Sequence, residues 1–160
     1  MLSFCGQYKG SIDSNGRVKL SPKTITDFKN RCSGEVVMHC LPEGGLAVYP
    51  EDVYISMRSA EQNPAEKAGN SMLFRRNLRR FGALSSSERL SAQGRLTIPS
   101  GFRKQLDLEP GNEIYIVGVE IGVEIWSAAR WESELAKINS HASEKGEMEM
   151  EADLQQENIS

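Results

Sequence analysis

Asp13-Ser14-Asn15-Gly16-Arg17-Val18-Lys19-Leu20 and Ser91-Ala92-Gln93-Gly94-Arg95-Leu96-Thr97-Ile98 stand seventy-eight positions apart and follow one plan. Each is a polar turn that closes on Gly-Arg and runs at once into alternating apolar and polar residues. In the first copy, Asp can bond the backbone two residues on, while Asn and Gly tolerate positive φ, so Asp-Ser-Asn-Gly is turn chemistry. Period-2 alternation marks a half-buried strand. With Val18 and Leu20 inward, Arg17 and Lys19 share the outer face; with Leu96 and Ile98 inward, Arg95 and Thr97 do the same. The expectation is two hairpins, 7–12 with 17–20 and 87–90 with 95–98, each presenting an arginine at a strand start on its solvent face.

The repetition extends beyond the turns. Tyr49 in Leu46-Ala47-Val48-Tyr49 is matched seventy-seven positions later by Trp126 in Val123-Glu124-Ile125-Trp126, and a helical pattern follows each. Self-similarity at a fixed offset means one structural unit used twice. A unit of roughly fifty residues is marginal on its own, so the two should share a core. The chain then divides into a first unit, 1–62, a connecting helix within 63–82, a second unit, 83–140, and an acidic tail, 141–160. Ser21-Pro22 supplies a helix cap and first turn. Val53 and Met57 are expected on the inner face of the helix after Pro50, and Trp131, Leu135 and Ile138 on that of the last helix. The connecting helix is expected from about residue 65 to 81, with Phe74, Leu78 and Phe81 as one stripe and Arg75, Arg76, Arg79 and Arg80 as a basic cluster off it. Past Ser140 the apolar spacing fades, and the tail reads as disordered.

Composition narrows the class. No apolar run is long enough for a membrane span. Residues 1–6 carry no basic region followed by an apolar stretch, so no secretory leader is expected. Cys5, Cys32 and Cys40 are an odd number at no regular spacing, which fits reduced cytosolic thiols. The net charge of −3 conceals an asymmetry: Glu144, Glu147, Glu149, Glu151, Asp153 and Glu157 against Lys145 give the tail −5, leaving the body at +2. A mildly basic body is compatible with a polyanion partner.

The order of parts resembles the MraZ family of bacterial transcriptional regulators, within the SpoVT/AbrB-like swapped-hairpin superfamily. The residues that carry it are Gly10-Ser11-Ile12-Asp13-Ser14-Asn15-Gly16-Arg17, matching an Asp-x-x-x-Arg signature, then Leu46 to Pro50, the Arg79-Arg80-Phe81-Gly82-Ala83 junction, Gly94 to Pro99, and Ile116 to Ser127 with Trp131. Together they span about residues 1–138. The resemblance implies an α+β, mainly β fold: two tandem swapped-hairpin, AbrB-like halves interlocked into one pseudo-twofold β-barrel with flanking helices. It implies a ring-shaped homo-oligomer whose Asp-x-x-x-Arg strands contact double-stranded operator DNA. It also implies repression of the division and cell-wall gene cluster that contains the protein's own gene, and hence a cytoplasmic, nucleoid-associated location. The second signature usually opens with an acid, where this chain has Ser91, which can close the turn but cannot hold Arg95 by a charge.

On this reading the DNA-binding residues are Asp13, Arg17, Lys19, Arg95 and Thr97. A guanidinium matches two acceptors at once and is the usual reader of guanine, and a two-stranded ribbon fits the major groove. Lys19 suits a phosphate. Asp13 takes an orienting role, bonding the turn backbone and the Arg17 guanidinium. The cluster Arg75, Arg76, Arg79 and Arg80 is either a solvated or subunit-paired face or a secondary DNA contact. A ring would bind with avidity and, turning successive subunits in one sense, would match tandem direct repeats.

The rival classes are weaker. His39 and His141 sit in no recognisable catalytic setting, and no phosphate-cradling loop or nucleophile motif occurs, so no enzyme is expected. Cys32, His39 and Cys40 match no standard zinc spacing and lack a fourth ligand, so neither metal nor cofactor is expected. An antitoxin-like interaction module on the same fold is the alternative.

Overall fold

The computed structural model describes residues 2–159. Its strands and helices run β1 (Gln7–Ser11), β2 (Arg17–Lys19), α1 (Pro22–Arg31), β3 (Glu35–Cys40), β4 (Leu46–Pro50), α2 (Glu51–Ser59), α3 (Pro64–Asn70), α4 (Met72–Ala83), β5 (Ser85–Arg89), β6 (Arg95–Thr97), α5 (Ser100–Leu106), β7 (Glu113–Gly118), β8 (Val123–Ser127) and α6 (Ala128–Ile159). The residues through Ala128 form one compact unit and the rest of α6 a second.

Two antiparallel sheets organise the first unit, one of six strands in the order β1-β7-β8-β4-β3-β5 and one of two, β2-β6. Exchanging the halves (β1 for β5, β2 for β6, β3 for β7, β4 for β8) reverses the first order and leaves the second unchanged. The registers obey the same exchange. Arg17 pairs with Thr97 and Lys19 with Arg95 about a central Val18–Leu96 pair, and Leu46 with Ile125 and Val48 with Val123 about Ala47–Glu124. The duplication read from the sequence is thus a symmetry of the pairing.

The expected local hairpins do not form. Between residues 7–12 and 17–20 the backbone pairing among the described residues is a single bridge, Ile12 to Val18. β1 instead pairs along its whole length with β7 of the second half, and β5 with β3 of the first. The reason is burial. A lone hairpin would leave its apolar face half covered, whereas the exchange puts Val18 and Leu96, both 0% exposed, back into a core built from both halves. That core joins Leu20, Phe28, Val36, Met38, Leu46 and Val48 to Ile98, Leu106, Leu108, Ile114, Ile116, Val123 and Ile125. Each such fully buried branched side chain contributes about 1.5–3 kcal/mol. Tyr49 and Trp126 are also buried, outside that cluster.

Other expectations need correction. The six-stranded sheet is open in its hydrogen bonding, with β1 and β5 as edges, so no closed barrel is formed by the ladder. Helices hold more residues than strands, so the chain is α+β but not mainly β. The single connecting helix is two, because Gly69 and Asn70 are poor helix formers and Ser71 restarts the chain, its Oγ accepting the Phe74 N–H at 3.0 Å. On α2, Val53 is half-buried but Met57 is 50% exposed, and Tyr54 turns inward as well, its hydroxyl bonding Ser85 Oγ at 2.8 Å. Within α6, Trp131 is buried but Ile138 is 47% exposed. The tail expected to be disordered is helical through Ile159. Its Glu, Met, Ala, Leu and Gln are strong helix formers, and a helix needs no apolar stripe unless it packs.

At the β3–β5 seam, buried His39 bonds Ser85 Oγ through Nδ1 at 2.8 Å and stacks on Phe81 with ring centroids 5.1 Å apart. Burial first, and then the charge of Arg80, holds its imidazole below the ordinary value of 6.5. The unfolded chain therefore binds the proton more readily. This contribution to stability is complete above about pH 6.5 and is lost as pH falls toward the lowered folded value. Thermal unfolding from about pH 7 to pH 5 should decline less steeply in His39→Gln than in the wild type; equal slopes would remove His39 from the pH response.

Candidate nucleic-acid interface

The first turn is built from its own side chain. Asp13 Oδ1 accepts the N–H groups of Asn15 and Arg17 at 2.9 and 3.0 Å, and Oδ2 accepts Arg17 Nε at 3.1 Å. Gly16 adopts φ +77°, the left-handed region in which glycine carries no Cβ penalty. The Arg17 backbone N–H foremost, with further help from Asn15 and the guanidinium, holds the Asp13 carboxyl below its usual range against a desolvation that pushes it up. The clip is therefore ionised at neutral pH and dissolves only as pH falls through that lowered value. The orienting contacts expected of Asp13 are all present.

The second turn copies the backbone but not the charge. Ser91 N–H donates to Arg95 O at 3.0 Å, as Asp13 N–H does to Arg17 O at 3.0 Å. Ser91 Oγ accepts the Arg95 N–H at 2.9 Å. No partner for the Arg95 guanidinium occurs among the described residues.

β2 and β6 join the two turns into one ribbon. Leu20 N–H reaches Gly94 O at 3.0 Å and Ile98 N–H reaches Gly16 O at 2.9 Å, so each strand is tied at its end to the other half's turn. In an antiparallel pair, directly opposite residues share a face. Arg17, Thr97, Lys19 and Arg95 therefore lie together on the face opposite buried Val18 and Leu96. Lys19, Arg95 and Thr97 are exposed, and the Arg17 side chain is 36% exposed. Lys19 stands directly across from Arg95, and among the described residues neither side chain is paired with an acid. Like charges so placed repel, and an anion from outside would relieve the repulsion.

The ribbon also carries a residue that sequence reasoning missed. Arg103 of α5 extends over the first turn. Its Nε donates to Ile98 O at 3.1 Å, and its Cζ lies 2.7 Å from where a Cβ on Gly16 would stand. The available signal was the repeat itself, since Arg103 is seventy-eight positions after Ile25 and replaces an apolar side chain by a cation.

The α4 arginines divide. Arg75 Nη1 donates to Ala68 O at 2.8 Å, and half-buried Arg80 donates through Nη2 to Cys40 O at 3.2 Å, so both serve backbone carbonyls of the chain itself. Arg76 and Arg79 are exposed. Among Cys32, His39 and Cys40, the last two are neighbours on β3 and point to opposite faces. Burial pushes the Cys40 thiol up to about 11, far from the thiolate a metal requires. Among the described residues no group of three or more His, Cys, Asp or Glu could hold a metal, and no helix is long and apolar enough to cross a membrane.

Residues 86–154 match the family model described as "MraZ protein, putative antitoxin-like". The chain is 31% identical over 133 residues to the "Transcriptional regulator MraZ" of Finegoldia magna, covering 81% of this chain and 84% of the relative. It is 31% identical over 149 residues to that of Lachnoclostridium phytofermentans, covering 89% and 97%. It is 32% identical over 136 residues to that of Acidithiobacillus ferrooxidans, covering 81% and 86%. With such identity across most of its length, and with the duplicated turn-and-strand signature at the centre of its fold, the chain belongs to the MraZ family.

Proposed function

We propose that the protein is a sequence-specific DNA-binding transcriptional regulator, a repressor of the division and cell-wall gene cluster that includes its own gene, acting in the cytoplasm at the nucleoid. The relatives are named transcriptional regulators, which supports the class. The observation that carries the DNA reading is the β2–β6 ribbon, with three cations and a threonine on one outward face. Arg17, pre-set by Asp13, reads bases. Lys19 and Arg95 neutralise phosphates, and Thr97 adds a hydroxyl beside Arg17. Arg76 and Arg79 are the members of the α4 cluster left for secondary DNA or subunit contacts. No cofactor and no catalytic step enter this activity.

One ribbon with so few cations binds weakly, and linking several removes that weakness without new contacts. The protein therefore acts as a ring-shaped homo-oligomer of interlocked, pseudo-twofold units, on operators of tandem direct repeats. A gel shift with the DNA upstream of its own gene should give a discrete complex, and footprinting should protect evenly spaced direct repeats. Protection of one isolated inverted repeat would refute the head-to-tail arrangement, and no shift at low salt would refute the DNA reading. The family model's own description favours a second reading, an antitoxin-like protein-interaction module. On that reading the same gel shift fails while a protein partner is retained.

A further inference from the structure

The two ends of the ribbon are related by the repeat, yet they differ in charge: Asp13, Arg103 and Thr97 at the first stand against Ser91, Ile25 and Lys19 at the second. The first turn has Asp13 gripping Arg17, with the Arg103 guanidinium laid over Gly16. The second has Ser91 beneath Arg95, and over Gly94 lies the apolar Ile25, whose Cδ1 is 2.0 Å from where a Cβ on that glycine would stand. A carboxylate and an added guanidinium thus occur together at one end and are both missing from the other.

Resting on the DNA-binding reading above, we propose that Arg103 is a DNA-backbone contact that clamps a phosphate beside the first turn and so gives each ribbon a fixed direction on the duplex. Three observations support it. The Arg103 Nε is already spent on Ile98 O, which fixes the plane of the guanidinium. Its two amino groups have no protein partner among the described residues, and the side chain is only half-buried. A planar pair of donors held in place matches the paired oxygens of a phosphate. The position fits that ligand better than a base. When the outer face of a ribbon enters a groove, its middle meets base edges and its turns lie at the walls, where the phosphates run. The Asp13 carboxylate beside the same turn makes the added cation more necessary, because it would otherwise repel the backbone. The Ile25 end has no such clamp and relies on Lys19 and Arg95, so the two ends hold DNA unequally.

The test is Arg103→Ile, which gives the first turn its counterpart's residue, with Arg103→Gln as a second variant that keeps a donor toward Ile98 O without the charge. Binding is titrated on the operator fragment and on an unrelated duplex across salt, with Arg17→Ala in parallel. Both Arg103 variants should reduce the slope of log affinity against log salt by about one per bound protomer. That is roughly a threefold to fourfold smaller loss between about 50 and 200 mM salt, equal on both DNAs and without change in base preference. If Arg103→Ile does not fold, Arg103→Gln decides alone. A wild-type slope in the folded variants, while Arg17→Ala loses operator affinity, would overturn the clamp and leave the DNA reading standing. Unchanged operator affinity in Arg17→Ala would bring down both. A change in subunit assembly with the slope intact would assign the guanidinium to a carboxylate of a neighbouring copy and likewise overturn the clamp.

Discussion

Arg17→Ala is expected to weaken operator binding by about 1–3 kcal/mol for each ribbon engaged, and to relax base preference where that ribbon sits. The reason is that the guanidinium is both outward and pre-positioned. Asp13 holds Nε at 3.1 Å and the Arg17 N–H at 3.0 Å, so little freedom is lost when the amino groups meet a base. In an oligomer the losses compound across linked ribbons. The fold should not change, since Arg17 lies on the face away from the core and an exposed pair of this kind contributes at most about 1 kcal/mol. Lys19→Ala is the contrast. It should reduce the salt slope by about one per protomer and affect operator and unrelated DNA alike. The measurement is a pair of titrations, on operator and on scrambled duplex, at several salt concentrations. Operator affinity unchanged in Arg17→Ala, with unfolding also unchanged, would take the motif out of the site.

Leu96→Ala should lower stability by about 2–5 kcal/mol, a large share of the roughly 5–15 kcal/mol typical of a domain. Leu96 is fully buried and sits opposite Val18, which belongs to the other half. The cavity would therefore open between the halves, and the loss would be shared by both. Urea denaturation followed by tryptophan fluorescence and by far-ultraviolet circular dichroism should give coincident transitions at a lower midpoint, because β1–β7 and β3–β5 tie each half to the other. Two separated transitions in the variant would show halves that fold apart, and would contradict the shared core.

Much of the candidate site was legible in the sequence. Period-2 alternation put Arg17, Lys19, Arg95 and Thr97 on one side, because strand geometry alone decides the face. The Asp13 turn was legible because its bonds span at most four residues and depend on local chemistry. Arg103 was not legible in the same way. Its place over Gly16 depends on α5 of one half crossing the turn of the other, a contact between positions eighty-seven apart. Nor was the splitting of the α4 arginines, since whether Arg80 meets solvent or Cys40 O is settled by how α4 lies against the sheet.

From residues alone came the duplication, the turns, the inward and outward faces and the need for a common core, since each of these follows from local stereochemistry or from how little apolar surface fifty residues can cover. Tertiary structure alone decided the partners of the strands. A β-strand's hydrogen bonds are the same toward any neighbour, so nothing in 7–11 says whether β2 or β7 will take them. The answer comes from burial summed over both halves, which favours the exchange of β1 and β5 and thereby brings two distant turns to the ends of one ribbon.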